Sequence, residues 1–213
     1  MLSLGTLTRW PAGRCVMRLG EPSGHAYLLI EGFVKVHGNN DGQEPLLAIR
    51  AGGDLVGDMG VLTGEPRSAT VTVCSAAVAR AIAAADLRAF LCREPQVAYA
   101  LACMLAGRLR WANQRRVDFA TADAGSRVCR VLVALGEMYG RPAPGGLKLL
   151  VSLTQAEVAW LAGVGLATVE KTLRALAQSG QVRWGYRRLV ICDLEALRGR
   201  AETGDVAAID QNP

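Results

Sequence analysis

Gly57-Asp58-Met59, followed after a short loop by Gly64-Glu65-Pro66-Arg67-Ser68-Ala69-Thr70-Val71, is the stretch that decides the fold of this 213-residue chain. An anion pocket needs backbone N–H groups that converge, a glycine that lets the chain approach, and a guanidinium shaped to match the oxygens. Gly57 offers the approach, a short helix begun at Asp58 offers oriented N–H groups, and Arg67 offers the fork. Ser68 adds a hydroxyl. The carboxylate of Asp58 does not suit a phosphate, but it suits a ribose 2′-OH as an acceptor. A barrel in which Arg67 is only salt-bridged, with no ligand, is the competing structural explanation.

Around this stretch, apolar and β-branched runs alternate with glycine turns. Residues 26–30 and 33–36 flank Glu31-Gly32, and residues 20–24 and 39–42 are further turn clusters. Residues 46–49, 54–56 and 69–73 add short strands, and a spacing of roughly 8–12 residues predicts an antiparallel barrel or jelly roll. Past Glu94-Pro95 the period changes. Residues 96–121 hold one glycine, Gly107, no proline, and the apolar stripe Ala98, Leu101, Leu105, Leu109, Ala112 and Phe119. Such a helix is about 39 Å long, more than a small barrel covers, and commonly pairs with a copy of itself. Packing within one chain is the plainer alternative.

Beyond it, residues 127–139 read as a helix, 141–146 as a Pro/Gly loop and 149–153 as a short strand. Helices over 154–161 and 167–178 flank Gly163-Val164-Gly165, and strands 181–184 and 189–191 flank Gly185-Tyr186-Arg187-Arg188. That order is a helix-turn-helix with a wing. Charge agrees. Residues 125–200 carry eleven basic and five acidic side chains, net +6, against +2 for 1–124 and −3 for 201–213. A positive excess gathered in one segment suits a domain that meets phosphates.

Composition excludes several classes. The chain is 51% hydrophobic and 20% charged, the profile of a soluble globular protein. Its longest apolar run, 76–85, is broken by Arg80 and too short to span a bilayer, and residues 1–13 lack the features of a signal peptide. The expected place is the cytoplasm, with no membrane contact. Six cysteines, at 15, 74, 92, 103, 129 and 192, are scattered without a CxxC pair, so they read as small buried hydrophobes rather than metal ligands. His25 and His37 read as surface residues in turns, and no nucleophile, base and orienter combine, so no enzyme is expected.

The Gly57–Val71 stretch resembles the phosphate-binding cassette of the cAMP receptor protein family, the Crp/Fnr regulators. Gly20-Glu21-Pro22 and Gly32-Phe33-Val34-Lys35-Val36 fit the same barrel, and the order of domains is that family's throughout. The resemblance implies an α+β chain with a cyclic-nucleotide-binding jelly-roll barrel over 1–95 and a dimerisation helix over 96–122. A winged helix-turn-helix over 125–200 and a disordered tail over 201–213 complete it. It implies ligand contacts at Val56, Gly57, Asp58, Met59, Arg67, Ser68, Ala69 and Asn113. The implied effector is cAMP or a related cyclic nucleotide, with no further cofactor. The implied partners are DNA, the nucleotide, a second copy and RNA polymerase. Members that respond to cAMP have glutamate at the place of Asp58, and a threonine–serine pair at the place of Ala112-Asn113. Selectivity for adenine over guanine is therefore open.

At the other end, the resemblance implies DNA contacts at Thr154, Gln155, Leu166, Ala167, Thr168, Glu170, Lys171 and Arg174, and in the wing at Trp184, Tyr186, Arg187 and Arg188. Val158, Leu161, Val169, Leu173 and Leu176 are core by spacing. Relatives read G·C pairs with an arginine and a glutamate where this chain has Leu166 and Ala167, and with a second arginine where it has Lys171. The expectation is a ligand-gated, dimeric transcription regulator on a palindromic operator. The alternative is a cyclic-nucleotide-binding or protein-interaction module whose winged helix no longer binds DNA specifically.

Overall fold

The computed structural model describes residues 3–185 and 188–203. Eight short strands come first: Thr6–Trp10 (β1), Cys15–Met17 (β2), His25–Glu31 (β3), Phe33–His37 (β4), Leu46–Ala51 (β5), Leu55–Val56 (β6), Thr70–Val73 (β7) and Ala77–Ala83 (β8). They pair antiparallel in two four-stranded sheets, ordered β1-β8-β3-β6 and β2-β7-β4-β5. β7 alternates half-buried threonine with buried valine, as a strand with one face on a core must. Trp10, Met17, Leu29, Val34, Val56, Val71, Val73, Ala77 and Ala79, drawn from both sheets, form that core. This is the jelly-roll barrel that the strand spacing predicts.

The apolar run at 76–85 contains a strand, Ala77–Ala83. That strand is β8, which joins β1 to β3, and the run ends in the first residues of a helix. Its alanines carry little β signal, and Arg80 interrupts it by donating to the carbonyls of Leu4 (3.3 Å) and Gly5 (2.9 Å). Helices Asp58–Thr63 (α1), Ala84–Arg93 (α2) and Pro95–Thr121 (α3) follow the strands. Val61 of α1, Leu87 of α2 and Leu101 of α3 pack with Ala26, Leu28, Leu55 and Ile82 in a second apolar cluster, joined by half-buried Met104 and Leu105.

That cluster takes up two residues of the expected pairing stripe. Leu101 and Leu105 are spent on the chain's own barrel, whereas Leu109 is 63% exposed and Ala112 is exposed. The outward face of α3 runs instead through Tyr99, Ala102, Ala106, Leu109 and Asn113, at steps of three and four.

The chain divides into two compact units, Met1–Leu109 and Arg110–Pro213, with the division inside α3. In the second, Ala124–Tyr139 (α4) leads to Gly140–Ala143 (β9) and Gly146–Leu149 (β10). Then come Gln155–Ala162 (α5), Leu166–Gln178 (α6), Val182–Gly185 (β11), Arg188–Ile191 (β12) and Leu194–Thr203 (α7). Asp123 caps α4 by accepting from the backbone N–H of Ser126 at 3.0 Å and from its hydroxyl. The sheet order is β11-β12-β10-β9. Val128, Leu132, Val158, Leu161, Val169, Leu173, Leu176, Ile191 and Leu197 are buried, including all five positions expected from spacing.

Several boundaries differ from expectation. The Pro/Gly segment at 141–146 belongs to a hairpin, and the strand expected at 149–153 lies at Gly146–Leu149. Pro142 is tolerated because β9 is an edge strand, where a missing N–H breaks no ladder. Residues 201–203, expected in the tail, end α7, whose Leu197 and Ala201 are buried. The rest of the tail, with Tyr186 and Arg187, lies outside the described residues. The cysteines divide as well. Cys129 is buried, and burial pushes its thiol pKa up to about 11, but Cys92 and Cys103 are exposed on helices. Among the described residues no helix is long and apolar enough to cross a membrane.

Candidate functional site

The cassette is organised by a left-handed backbone. Gly57, before the first residue of α1, has φ +74°, and a Cβ there would lie 2.5 Å from Nη1 of Arg67. Glycine is therefore required twice, for the backbone angle and for the approach of the guanidinium. Arg67 is 7% exposed and donates from Nη1 to the Gly57 carbonyl (3.1 Å) and from Nη2 to the His25 carbonyl (2.5 Å). Among the described residues no carboxylate pairs with it. A buried cation balanced only by carbonyl dipoles favours the arrival of an anion. The salt-bridged arginine of the competing explanation is not what the structure holds.

Asp58 is 4% exposed and accepts from Nη1 of Arg108 at 2.7 Å. Arg108, on α3, also donates from Nη2 to Asp54 (3.1 Å) and to the Leu55 carbonyl (2.8 Å), while its Nε is buried without a partner. A carboxylate has acceptor capacity beyond one guanidinium, so this ion pair leaves Asp58 able to take a hydroxyl. Met59 and Ser68 are exposed side by side, the Ser68 hydroxyl 3.8 Å from the Met59 sulfur, and Ala69 is half-buried. Val56 differs from the rest. Its side chain is in the barrel core, so any contact it makes with a ligand runs through its backbone. Asn113 is exposed on α3 in the second unit.

Arg108 and Asp54 are functional candidates that sequence reasoning missed. Arg108 bonds two aspartates four residues apart, but nothing local in the sequence says which of many arginines does so.

In the second unit, α5 opens on a capping box. The Thr154 hydroxyl oxygen accepts from the Glu157 N–H (3.1 Å), and the Glu157 carboxylate accepts from the Thr154 N–H (2.8 Å). Thr154, expected at DNA, thus has a structural task. The turn to α6 passes through Gly163 at φ +61°, where a Cβ would lie 2.5 Å from the ring of Phe119. α6 buries Val169, Thr172, Leu173 and Leu176 and exposes Leu166, Ala167, Glu170, Lys171 and Arg174, with Thr168 half-buried. A concavity of about 430 Å³ gathers Gln155 of α5, Glu170, Leu173, Arg174 and Ala177 of α6, and Trp184 of β11. Arg188 is exposed at the start of β12, opposite Gly185. Four expected DNA contacts, Gln155, Glu170, Arg174 and Trp184, therefore share one hollow.

A cation–π cluster beside the turn was also not foreseen. The Arg115 guanidinium sits 4.7 Å from the Trp111 ring and 5.6 Å from Phe119, Arg127 covers Phe119 at 5.5 Å, and Arg115 donates to the Trp160 carbonyl at 3.1 Å. Burial holds the Arg115 pKa below the ordinary guanidinium value, against the raising effect of Asp118.

Comparison with known proteins matches both halves. A cyclic nucleotide-binding domain model covers residues 7–94, and a Crp-like helix-turn-helix domain model covers residues 126–200. The chain is similar to the CRP-like cAMP-activated global transcriptional regulator of Mycobacterium tuberculosis, 32% identical over 193 residues, 90% of this chain and 86% of that protein. This chain belongs to the Crp/Fnr family of transcription regulators. Another Crp/Fnr relative, the cyclic AMP receptor protein of Thermus thermophilus, is 33% identical over 177 residues, 83% of this chain and 79% of that protein. Among solved structures, a CRP/FNR-family regulator from Thermus thermophilus superposes with TM-score 0.78 at 24% identity, over 93% of this chain and 99% of that one. The c-di-GMP-responsive global regulator CLP of Xanthomonas campestris does so with TM-score 0.75 at 24% identity, over 89% and 95%. At that identity the two structures speak to the Crp/Fnr fold: a barrel, a long helix and a helix-turn-helix in this order.

Proposed function

We propose that this Crp/Fnr protein is a homodimeric, cytoplasmic transcription regulator, gated by a cyclic nucleotide and bound to a palindromic operator. The observation that carries this reading is Arg67, a buried guanidinium held by two carbonyls and by no carboxylate among the described residues. Arg67 takes the cyclic phosphate, and Asp58 takes the ribose hydroxyl. Gly57 and the backbone of Val56 let the ligand approach, and Met59, Ser68 and Ala69 border it. Asn113 is assigned to the purine edge by family resemblance, since an amide both donates and accepts. Arg108 ties Asp58 to α3, so a ligand that competes for Asp58 acts on that helix.

The effector is a cyclic nucleotide, with cAMP as the first candidate because the relatives at 32% and 33% identity are named for it. The shorter Asp58 and the Ala112-Asn113 pair leave cyclic dinucleotides as the comparison to make, the class named for the Xanthomonas regulator. The second copy docks on the outward face of α3, whose Tyr99, Ala102, Ala106, Leu109 and Asn113 follow heptad spacing. Each α6 enters the major groove, with Gln155, Thr168, Lys171, Arg174, Trp184, Arg187 and Arg188 at or near the phosphates, and RNA polymerase is the further partner.

A second reading, a nucleotide-binding module without operator specificity, is favoured by one observation, the apolar Leu166 and Ala167 at the start of α6. Operator binding across a salt series, with and without cAMP, separates the two. The regulator gives a specific palindrome that nucleotide strengthens, whereas the module gives a salt slope with no specificity ratio.

A further inference from the structure

The exposed face of α6 is apolar at its tip and charged beyond it. Leu166, the first residue, keeps 46% of its area exposed, and Ala167 is exposed beside it. Gly165, which precedes them, provides no side-chain cap. One and two turns further on, Glu170, Lys171 and Arg174 are exposed on the same side, at i+4 and i+8 from Leu166 and i+4 and i+7 from Ala167. The helix docks on its own domain through Val169, Thr172, Leu173 and Leu176, so Leu166 is not part of that core.

A recognition helix presents its N-terminal residues to base edges in the major groove. Leucine and alanine have nothing to offer the amino, carbonyl and N7 groups found there. Pressing them against such groups removes water and returns no hydrogen bond. The one apolar feature of the major groove is the C5 methyl of thymine, which 5-methylcytosine shares. We propose that Leu166 and Ala167 read a 5-methylpyrimidine in each half-site, while Lys171 and Arg174 hold the backbone. This inference rests on the DNA-binding reading above.

The test uses the full-length protein. Palindromes are selected from random duplex DNA with and without cAMP. In the enriched duplex each half-site thymine is then replaced by deoxyuridine, one symmetric position at a time, and affinity is read by fluorescence anisotropy at fixed salt. Removing the methyl that Leu166 covers weakens binding about fourfold per half-site (~0.8 kcal/mol), about 15-fold for the pair. At that position 5-methylcytosine binds better than cytosine. Leu166→Ala brings the thymine-to-uracil ratio close to one, whereas Lys171→Ala weakens both duplexes and keeps the ratio. An enriched palindrome in which no thymine methyl matters, or a ratio unchanged in Leu166→Ala, overturns the methyl reading and leaves DNA binding standing. Failure to enrich any palindrome overturns both.

Discussion

In the Gly57–Val71 stretch the charged side chains of Asp58 and Arg67 are buried and hydrogen-bonded within the chain. Asp58 is bonded to Arg108, Arg108 to half-buried Asp54, and Arg67 to two carbonyls. On the recognition helix Glu170, Lys171 and Arg174 lie at the surface, with Leu166 and Ala167 exposed beside them. Buried polarity is costly to leave unsatisfied, so each cassette residue constrains its neighbours. An exposed helix face has no such constraint from its own fold. Asp58 and Arg67, which resemblance assigns to the ligand, lie in the first kind of surrounding, and the residues it assigns to the bases lie in the second.

The sharpest way to break that contrast is Arg108→Leu. It leaves Asp58 buried without its cation, and removal of one partner of a buried pair costs about 3–5 kcal/mol. Urea unfolding should show that loss, while Arg174→Leu on the exposed face should change stability by no more than about 0.5 kcal/mol. Equal losses would mean that the two regions are not built differently.

The long helix allows a finer version of the same test. Leu105→Glu pushes a carboxylate into the cluster beside the barrel and should unfold or markedly destabilise the first unit, by about 2 kcal/mol or more. Leu109→Glu, at a residue 63% exposed, should leave the folded chain intact and shift a dimer to monomer in sedimentation. A dimer that survives Leu109→Glu would refute the assignment of the outward face.

Asp123→Ala sets the low end of the scale. Loss of the α4 cap should cost about 1 kcal/mol at neutral pH. Burial raises the Asp123 pKa, but the hydrogen bonds from Ser126 and the neighbouring backbone outweigh it, and the net direction is down. A depressed carboxylate stabilises above its unfolded pKa and ceases to as pH falls through the folded one. The difference between Asp123→Ala and the native chain should therefore shrink in acid. A gap that widens in acid would contradict the cap.

How much of this was legible in the sequence follows the same division between local and distant causes. The glycine turns, Arg67 beside Gly57, and the helix-turn-helix with its core positions are local patterns, and they stand where spacing put them. β8 was hidden by alanines, and α2 and α7 were not distinguished from loop and tail. Arg108 was out of reach for another reason. Its bond to Asp58 spans fifty residues, and no periodicity in α3 marks which of its arginines turns inward. Two residues of the apolar stripe on α3, Leu101 and Leu105, pack on the barrel, and no spacing within the helix says which of its apolar residues the chain's own strands cover.

We propose above that Arg67 takes the phosphate of a cyclic nucleotide. Calorimetry of the native chain against cAMP, cGMP and cyclic dinucleotides, repeated with Arg67→Leu, tests it most directly. The native protein should bind one class, and the variant should lose about 2–5 kcal/mol of that affinity while retaining its fold by circular dichroism. Equal affinity in the folded variant, or no binding of any cyclic nucleotide by the native chain, would contradict the account.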